Sequence, residues 1–269
     1  MVFNPLGPEL ALVWDIIACF ISFFLILMLV QINAAIEKSG KLSTIVTRKI
    51  IHIFAAPLWA VTWILFSGGI FSRWLALIPP LMFVLLFAAI GTGKMKNDDF
   101  VRSMSRTGEP RELLGGTLYY ALIMVLFAIV WFYVPSSADL AQASPTALIV
   151  FGCLAGGDGL ADVIGRKYGG EKTFGFGGAE RTLVGSIGMF IGSFLFSVIL
   201  VFLFSIEVSA FVIGDMLISI LLISLVSTIV EAISPKGYDN WTVTIAAVIM
   251  VAIIPFLGLA WPFPFLTLF

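Results

Sequence analysis

Long apolar stretches follow one another along almost the whole of this 269-residue chain. A helix needs about 20 mostly apolar residues to cross a membrane, and eight stretches approach or exceed that length. They are residues 10–34, 48–69, 73–92, 115–135, 145–165, 183–206, 209–233 and 241–261. Hydrophobic residues make up 60% of the chain and charged residues only 12%, too little charge to cover a soluble protein. We therefore predict an all-α, polytopic integral membrane protein with about eight transmembrane helices.

The distribution of basic residues supports the count of eight. With eight spans, fourteen of the fifteen Lys and Arg residues fall in loops on one side, and only Arg73 falls on the other. If residues 145–165 were not a span, the basic loops would be divided between both sides. Basic loops are retained on the cytoplasmic side, so we predict that both termini lie on the non-cytoplasmic side.

The remaining global features set broad expectations. We find no repeat and no linker, so we predict a single membrane-embedded domain over residues 1–269. No basic region precedes the first apolar stretch, and we expect no cleavable signal or transit peptide. We expect a prokaryotic cell membrane with the active site facing the cytoplasm.

A net charge of −1 argues against a nucleic-acid partner. Gly188 and Gly192 form a GxxxG motif that permits helix packing, either within the chain or in a homodimer.

The segment from Gly156 to Ser186 concentrates the polar residues. Asp158 and Asp162 are four residues apart, so on a helix they share one face and can hold a divalent cation. Gly156, Gly157 and Gly159 flank Asp158, and they permit either an open backbone or close approach of a ligand. Carboxylates inside a span are costly and usually functional. We therefore predict a metal site at Asp158 and Asp162.

Basic residues follow these carboxylates and suit the oxygens of a phosphate. They are Arg166, Lys167, Lys172 and Arg181. Thr182 and Ser186 then open a new helix, whose N-terminus favours an anion. Metal-binding carboxylates beside basic groups are what phosphoryl or nucleotidyl transfer requires. Two alternatives stay open: Asp162 and Arg166 form a simple ion pair, or the basic residues only anchor the protein at the membrane surface.

Three further clusters are predicted on the same side. RKIIH places Arg48 and Lys49 on the helical face of His52, which is the only histidine. RELLGG places Arg111 just before a span. The end of the seventh span supplies Glu231. Asp239 and Asn240 begin the eighth span, where they could serve either in the site or as caps of the helix. The candidate site residues of the three clusters are Arg48, Lys49, His52, Arg111, Glu231, Asp239 and Asn240.

These clusters, in this order, resemble the phytol kinase and dolichol kinase family of polyprenol kinases, which is related to the phosphatidate cytidylyltransferases. The matching pieces are RKIIH (48–52), RELLGGTLYY (111–120), GDGLADVIGRKYG (157–169), RTLVGS (181–186) and Glu231, Ser234, Pro235, Gly237, Asp239 and Asn240. The family often has Lys-Gly-Pro-Leu-Tyr where this chain has GGTLY at 115–119, so the family's lysine is missing from this loop.

The resemblance implies transfer of a phosphoryl group from CTP, with Mg²⁺, to a long-chain isoprenoid alcohol such as phytol or geranylgeraniol. Asp158 and Asp162 would then hold Mg²⁺. Residues expected to bind the nucleotide are Arg48, Lys49, Arg111, Arg166, Lys167, Lys172, Arg181, Ser186 and Asn240. Candidates for the base that accepts the proton of the alcohol are Asp239, Glu231 and His52.

Other functions remain open at the level of sequence. A cytidylyltransferase would attack the α-phosphorus of CTP with a lipid phosphate, and a CTP-dependent diacylglycerol kinase would use a different lipid alcohol. An ion-coupled transporter would place its carboxylates along a path through the membrane. Transporters often show paired broken helices in two halves. Only one such segment is visible here, which favours an enzyme.

Overall fold

The structure of the chain is a computed structural model that describes residues 4–105, 107–133, 144–207 and 212–266. Its ordered elements within these residues are helical, apart from one isolated antiparallel bridge between Phe174 and Arg181. The α-helices are α1 (Ala11–Lys38), α2 (Thr44–Val61), α3 (Ser72–Gly91), α4 (Asp98–Met104), α5 (Gly116–Trp131), α6 (Thr146–Phe151), α7 (Asp158–Tyr168), α8 (Leu183–Glu207), α9 (Ile213–Ile233) and α10 (Asp239–Ile253). Short 3-10 turns cover Pro8–Leu10, Thr62–Leu65, Pro110–Leu114 and Ile254–Leu257, and a π-helical turn (Gly152–Gly157) joins α6 to α7.

The described residues contain eight helical segments that are long and apolar enough to cross a membrane. They are Pro8–Lys38, Thr44–Leu65, Ser72–Gly91, Pro110–Trp131, Thr146–Tyr168, Leu183–Ile206, Ile213–Ile233 and Asp239–Leu257. This confirms the predicted fold class, including the polar stretch around Asp158. Residues 134–135 and 209–211 of two predicted spans, and Arg106 of the charge count, lie outside the described residues. The side on which the termini lie stays a prediction.

The chain divides into two compact units, Val2–Phe132 and Tyr133–Phe269. In the first unit, α1 packs on α2 and α3, and α3 packs on α5. Its centre is aromatic: Trp59 and Trp63 are fully buried, with ring centroids 4.9 Å apart. The Trp59 indole N–H donates to the Ala76 carbonyl at 3.1 Å, which satisfies a polar group that would be costly in an apolar core. The expectation of one domain over residues 1–269 stays a prediction.

A buried carboxylate joins the first span to the loop between α2 and α3. Asp15 is 1% exposed. It accepts hydrogen bonds from the Ser67 N–H at 2.6 Å, the Ser67 hydroxyl at 2.9 Å and the Ser72 hydroxyl at 2.5 Å. These three donors offset the loss of water around the charge. Sequence analysis missed Asp15, although a lone carboxylate inside a long apolar helix was the signal that could have identified it.

In the second unit, α8 lies against α7 and the π-helical turn. A side chain added at Gly156 would overlap the Phe196 ring, and one added at Gly192 would overlap the Gly156 backbone. The predicted approach of a ligand to Gly156 and Gly157 is therefore wrong, because α8 occupies the space that these glycines leave. Gly192 of the GxxxG motif likewise packs within this unit, and the homodimer stays a prediction.

Large apolar side chains face outward along the spans of the second unit. On α8 they recur every four residues, at Leu183, Ile187, Ile191, Leu195 and Ile199. On α9 a similar pattern comprises Ile218, Leu221, Leu225, Ile229 and Ile233. Such stripes are stable only where the surrounding solvent is lipid. The α9 stripe reaches the last residue of its helix, and the α8 stripe begins at the first.

Candidate active site

An arginine in the second unit forms ion pairs with two carboxylates. Arg181 Nε pairs with Glu231 Oε1, and Arg181 Nη2 lies 3.4 Å from Asp239 Oδ2. The side chains of Arg181, Glu231 and Asp239 are 18%, 3% and 24% exposed. Sequence analysis assigned these residues to different roles, nucleotide binding for Arg181 and proton transfer for the carboxylates. The structure brings all three together.

Arg181 reaches the carboxylates because a glycine-rich hairpin, residues 169–182, holds it there. The Phe174 N–H donates to the Arg181 carbonyl at 2.8 Å, and the Arg181 N–H donates to the Phe174 carbonyl at 2.7 Å. Gly177 has a φ of 58°, and an added side chain would meet the Pro235 ring. Only glycine combines that backbone conformation with so close a contact. The hairpin tip therefore lies on the turn between α9 and α10.

That turn places both carboxylates. The Ser234 hydroxyl donates to the Val230 carbonyl at 2.6 Å and lies 2.5 Å from the Thr242 hydroxyl, joining the end of α9 to the start of α10. Asp239 is the first residue of α10, and its Oδ2 faces Arg181. Asn240 is buried behind it, and its N–H donates to Asp239 Oδ1 at 3.0 Å.

Helix α7 carries the two predicted metal ligands. Asp158 is its first residue and Asp162 lies one turn later, so both occupy one face. Asp158 interacts electrostatically with Glu231, which brings this end of α7 near the Arg181 cluster. Asp162 Oδ1 accepts a hydrogen bond from Arg166 Nε at 2.8 Å, so the local ion pair that we considered as an alternative is present.

The donor set fits Mg²⁺ only together with a phosphate ligand. The described residues contain no group of three or more His, Cys, Asp or Glu side chains arranged to hold a metal ion. Mg²⁺ in nucleotide sites commonly takes one or two carboxylates and completes its coordination with phosphate oxygens and water. Asp158 and Asp162 suit that mode and do not form an all-protein metal site.

A π-helical turn precedes Asp158 directly. Single π turns inside helices are rare and occur frequently at functional sites. Residues Gly152–Gly157 are all buried in this turn, at the point where the span changes from apolar to polar. Sequence analysis expected an irregularity in this stretch but did not identify its form.

The other predicted ligands of the second unit differ in their surroundings. Lys167 and Lys172 are exposed and available to solvent anions. Thr182 caps α8, because its hydroxyl oxygen accepts the Gly185 N–H at 3.0 Å, so one donor at this N-terminus is already used. The Ser186 hydroxyl is buried and has no hydrogen-bond partner among the described residues.

The remaining predicted residues belong to the first unit. Lys49 is 6% exposed, and the His52 ring packs on Tyr120 with centroids 4.8 Å apart. The Tyr120 hydroxyl also donates to the His52 carbonyl at 2.8 Å. Arg48 is half-buried near the start of α2, and Arg111 is exposed in the 3-10 turn before α5.

Neighbouring Glu112 orders the loop that leads to Arg111. It accepts hydrogen bonds from the Ser105 hydroxyl at 2.8 Å and the Thr107 N–H at 2.9 Å. These contacts give Glu112 a structural role that sequence analysis did not assign.

The fold and this cluster define a class: a polytopic helical membrane protein with paired carboxylates and an arginine at the polar ends of its spans. A farnesol kinase, chloroplastic, from Arabidopsis thaliana is 31% identical over 89% of the chain and 75% of its own length. Phytol kinase 1, chloroplastic, from the same plant is 30% identical over 80% of the chain and 68% of its length. The chain therefore belongs to the phytol and polyprenol kinase family.

One further relative is covered less completely. The chain spans 62% of the length of a probable phytol kinase 1, chloroplastic, from Oryza sativa subsp. japonica, with 32% identity. No protein-family model and no solved structure matches the chain.

The comparisons correct the predicted location. These relatives are chloroplastic enzymes of plants. The prediction of a prokaryotic cell membrane is therefore wrong, and the relatives point to a plastid membrane.

Proposed function

We propose that this protein phosphorylates a long-chain isoprenoid alcohol, with CTP as phosphoryl donor and Mg²⁺ as cofactor. The observation that supports this most is the cluster of Arg181, Glu231 and Asp239 beside the first residue of α7. A proton acceptor, a phosphate-binding cation and a metal-binding carboxylate then meet at the polar ends of spans. Relatives named farnesol kinase and phytol kinase support an alcohol acceptor with a long isoprenoid chain.

Asp239 is the carboxylate that we assign as the proton acceptor. It is more exposed than Glu231, 24% against 3%, and so it is the one that an alcohol can approach. The hydroxyl of the alcohol would give its proton to the Asp239 carboxylate while its oxygen bonds to the γ-phosphorus. The bond between the γ-phosphorus and the β,γ-bridging oxygen breaks at the same time, and CDP leaves with the electron pair. Glu231 holds Arg181 in place from the buried side. His52 remains a candidate base from the first unit.

Basic side chains balance the charge of the nucleotide. Arg181, Arg166, Lys167 and Lys172 would contact phosphate oxygens. The nucleotide-binding role of Arg48, Lys49 and Arg111, which belong to the first unit, stays a prediction from the sequence. Ser186 and Asn240 are proposed as further nucleotide ligands. Asp158 and Asp162 would hold Mg²⁺, which supplies charge neutralisation on the triphosphate. The prenyl tail would stay in apolar surroundings, because bringing it into water would cost about 0.8 kcal/mol for each CH₂.

A direct assay tests the proposal. Purified protein in liposomes is incubated with CTP labelled at the γ-phosphoryl group, Mg²⁺ and phytol, geranylgeraniol or farnesol. We expect labelled prenyl monophosphate and CDP. In a parallel reaction that contains a lipid phosphate in place of the alcohol, pyrophosphate with a CDP-linked lipid would instead indicate a cytidylyltransferase. No labelled product with any prenol would reject the kinase function.

Two substitutions test the assigned residues in that assay. Asp239→Asn should lower kcat by about 10²–10⁴-fold, the usual contribution of a positioned base. Asp162→Asn should abolish turnover if Asp162 holds the metal. Asp215→Asn is the matched control. Asp215 is exposed in the first turn of α9, at the end of that helix opposite to Glu231. Normal turnover of the Asp239→Asn variant would mean that Asp239 is not the proton acceptor.

A further inference from the structure

The hairpin that positions Arg181 presents aromatic rings outward. Phe176 at its tip is 67% exposed and Phe174 is 43% exposed. Tyr238, in the turn that the hairpin contacts, is 58% exposed. Exposed rings on neighbouring polar segments mark a surface that another phase or molecule covers, because their hydration is unfavourable.

The level of these rings relative to the spans indicates what covers them. The hairpin tip contacts Pro235 through Gly177, and the Lys236 N–H donates to the Gly177 carbonyl at 3.4 Å. Pro235 is two residues beyond Ile233, where the outward apolar stripe of α9 ends. At its other end, the hairpin leads within two residues from Arg181 to Leu183, where the stripe of α8 begins. The rings therefore lie at the boundary between the lipid-facing stripes and the polar loops.

Charge at the same level agrees with a lipid surface. Lys172 of the hairpin and Lys236 of the contacted turn are exposed, and Lys167 lies over the Tyr168 ring at 5.0 Å from its centroid. Aromatic rings with lysines at the ends of spans are the composition found at membrane interfaces. Lysines near the surface also attract anionic headgroups.

We propose that Phe174 and Phe176 insert into the bilayer interface, so that the hairpin is a lipid-contacting element of the site. The backbone pair between Phe174 and Arg181 then transmits the position of the rings to the arginine. The function of this contact rests on the proposed prenol kinase activity: an acceptor dissolved in the bilayer would pass the hairpin before it meets Asp239. The insertion itself is a claim about structure and does not require activity.

Depth measurement by spin labelling tests the insertion. Phe176→Cys carries the label, and Glu171→Cys, an exposed residue of the same hairpin, is the matched control. The full chain is reconstituted in liposomes of phosphatidylcholine and phosphatidylglycerol. We expect the label at 176 to be accessible to oxygen and protected from a water-soluble nickel chelate, and the label at 171 to show the reverse. The native cysteines are buried, and labelling of the unsubstituted protein measures their background.

Two results would overturn the proposal. One is equal access of the nickel chelate to positions 176 and 171. The other is protection of position 176 that appears only when CTP and Mg²⁺ are added, which would assign the ring to stacking on the nucleotide base.

The functional part is tested separately with Phe176→Ser. We expect the apparent KM for phytol in liposomes to rise several-fold, with kcat unchanged and with no change for a short, water-soluble prenol. Glu171→Ser should leave both constants unaltered. A fall in kcat for both alcohols would contradict a role in contacting lipid. If the unsubstituted protein has no kinase activity, the proposed function fails, while the depth measurement still decides the insertion.

Discussion

Arg181 is held between two carboxylates in a largely buried position, so its removal should cost more than the loss of a surface ion pair. Arg181→Ala leaves the carboxyl group of Glu231, only 3% exposed, without its ion-pair partner, and we expect the free energy of unfolding to fall by about 3–5 kcal/mol. Arg166→Ala is the control: the Arg166–Asp162 pair is more exposed, at 51% and 20%, and should contribute about 0–1 kcal/mol. Reversible unfolding of the purified protein in detergent, followed by circular dichroism, gives both values. Equal losses would contradict the assignment of Arg181 to a buried cluster.

Asp15 gives a second prediction at a single residue, in the first unit. An asparagine there can still accept the Ser67 backbone N–H with its amide oxygen. Its NH₂ group then replaces the oxygen that accepts from the Ser67 and Ser72 hydroxyls, and both hydroxyls must turn to accept instead. We expect Asp15→Asn to lower stability by about 0.5–1.5 kcal/mol, the usual net contribution of one hydrogen bond. Asp215→Asn, at an exposed position, should change it little. A neutral Asp15→Asn in the same unfolding measurement would mean that the loop tolerates the loss of this acceptor.

The ion pairs of single residues show which contacts could be predicted from the sequence and which could not. The pair of Asp162 and Arg166 follows from helical spacing and could be predicted. The pairs of Arg181 with Glu231 and Asp239 join residues 50 and 58 positions apart, and no local pattern encodes them. They depend on the hairpin tip meeting Pro235, a contact that only the folded chain defines.

Among the elements, the contact of α8 with the π-helical turn depends most on small residues. Gly192→Ala would place a methyl group against the Gly156 carbonyl, and we expect a loss of about 1–3 kcal/mol in the free energy of unfolding, because two backbones must separate. Gly214→Ala on α9 meets only an ordinary contact with Val212 at 3.8 Å and should be neutral or slightly stabilising. If both variants unfold alike, close packing at Gly192 is not a source of stability.

The elements were predicted unevenly for a physical reason. Eight spans follow from the length of the apolar stretches, because every backbone polar group in lipid must be satisfied within a helix. The π-helical turn and the hairpin bridge depend instead on tertiary contacts with α8 and with the α9–α10 turn. Gly156 and Gly157 illustrate the difference, because glycine permits both ligand approach and helix packing. The positions of Phe196 beside Gly156 and of Ser193 beside Gly157 decide between them.

At the scale of the whole molecule, composition identified lipid as the solvent but could not identify the membrane. The outward apolar stripes of α8 and α9 match the thickness and polarity of a bilayer, and membranes of different origin share these properties. Only the relatives, which are chloroplastic enzymes, indicate which membrane to consider.

Topology can be tested on the whole molecule, since an even number of spans returns the chain to the side from which it started. With eight spans, both termini share one side and the basic loops lie on the other. Asn4→Cys and Lys41→Cys are separated by one span, and we expect a membrane-impermeant maleimide to label them from opposite sides of sealed vesicles. Lys236→Cys should behave like Lys41→Cys. The buried native cysteines give little background, which the unsubstituted protein measures. Labelling of positions 4 and 41 from the same side would mean that α1 does not cross the membrane. Labelling of positions 41 and 236 from opposite sides would mean that the number of spans between them is odd, and the polar stretch around Asp158 would then be the first span to reconsider.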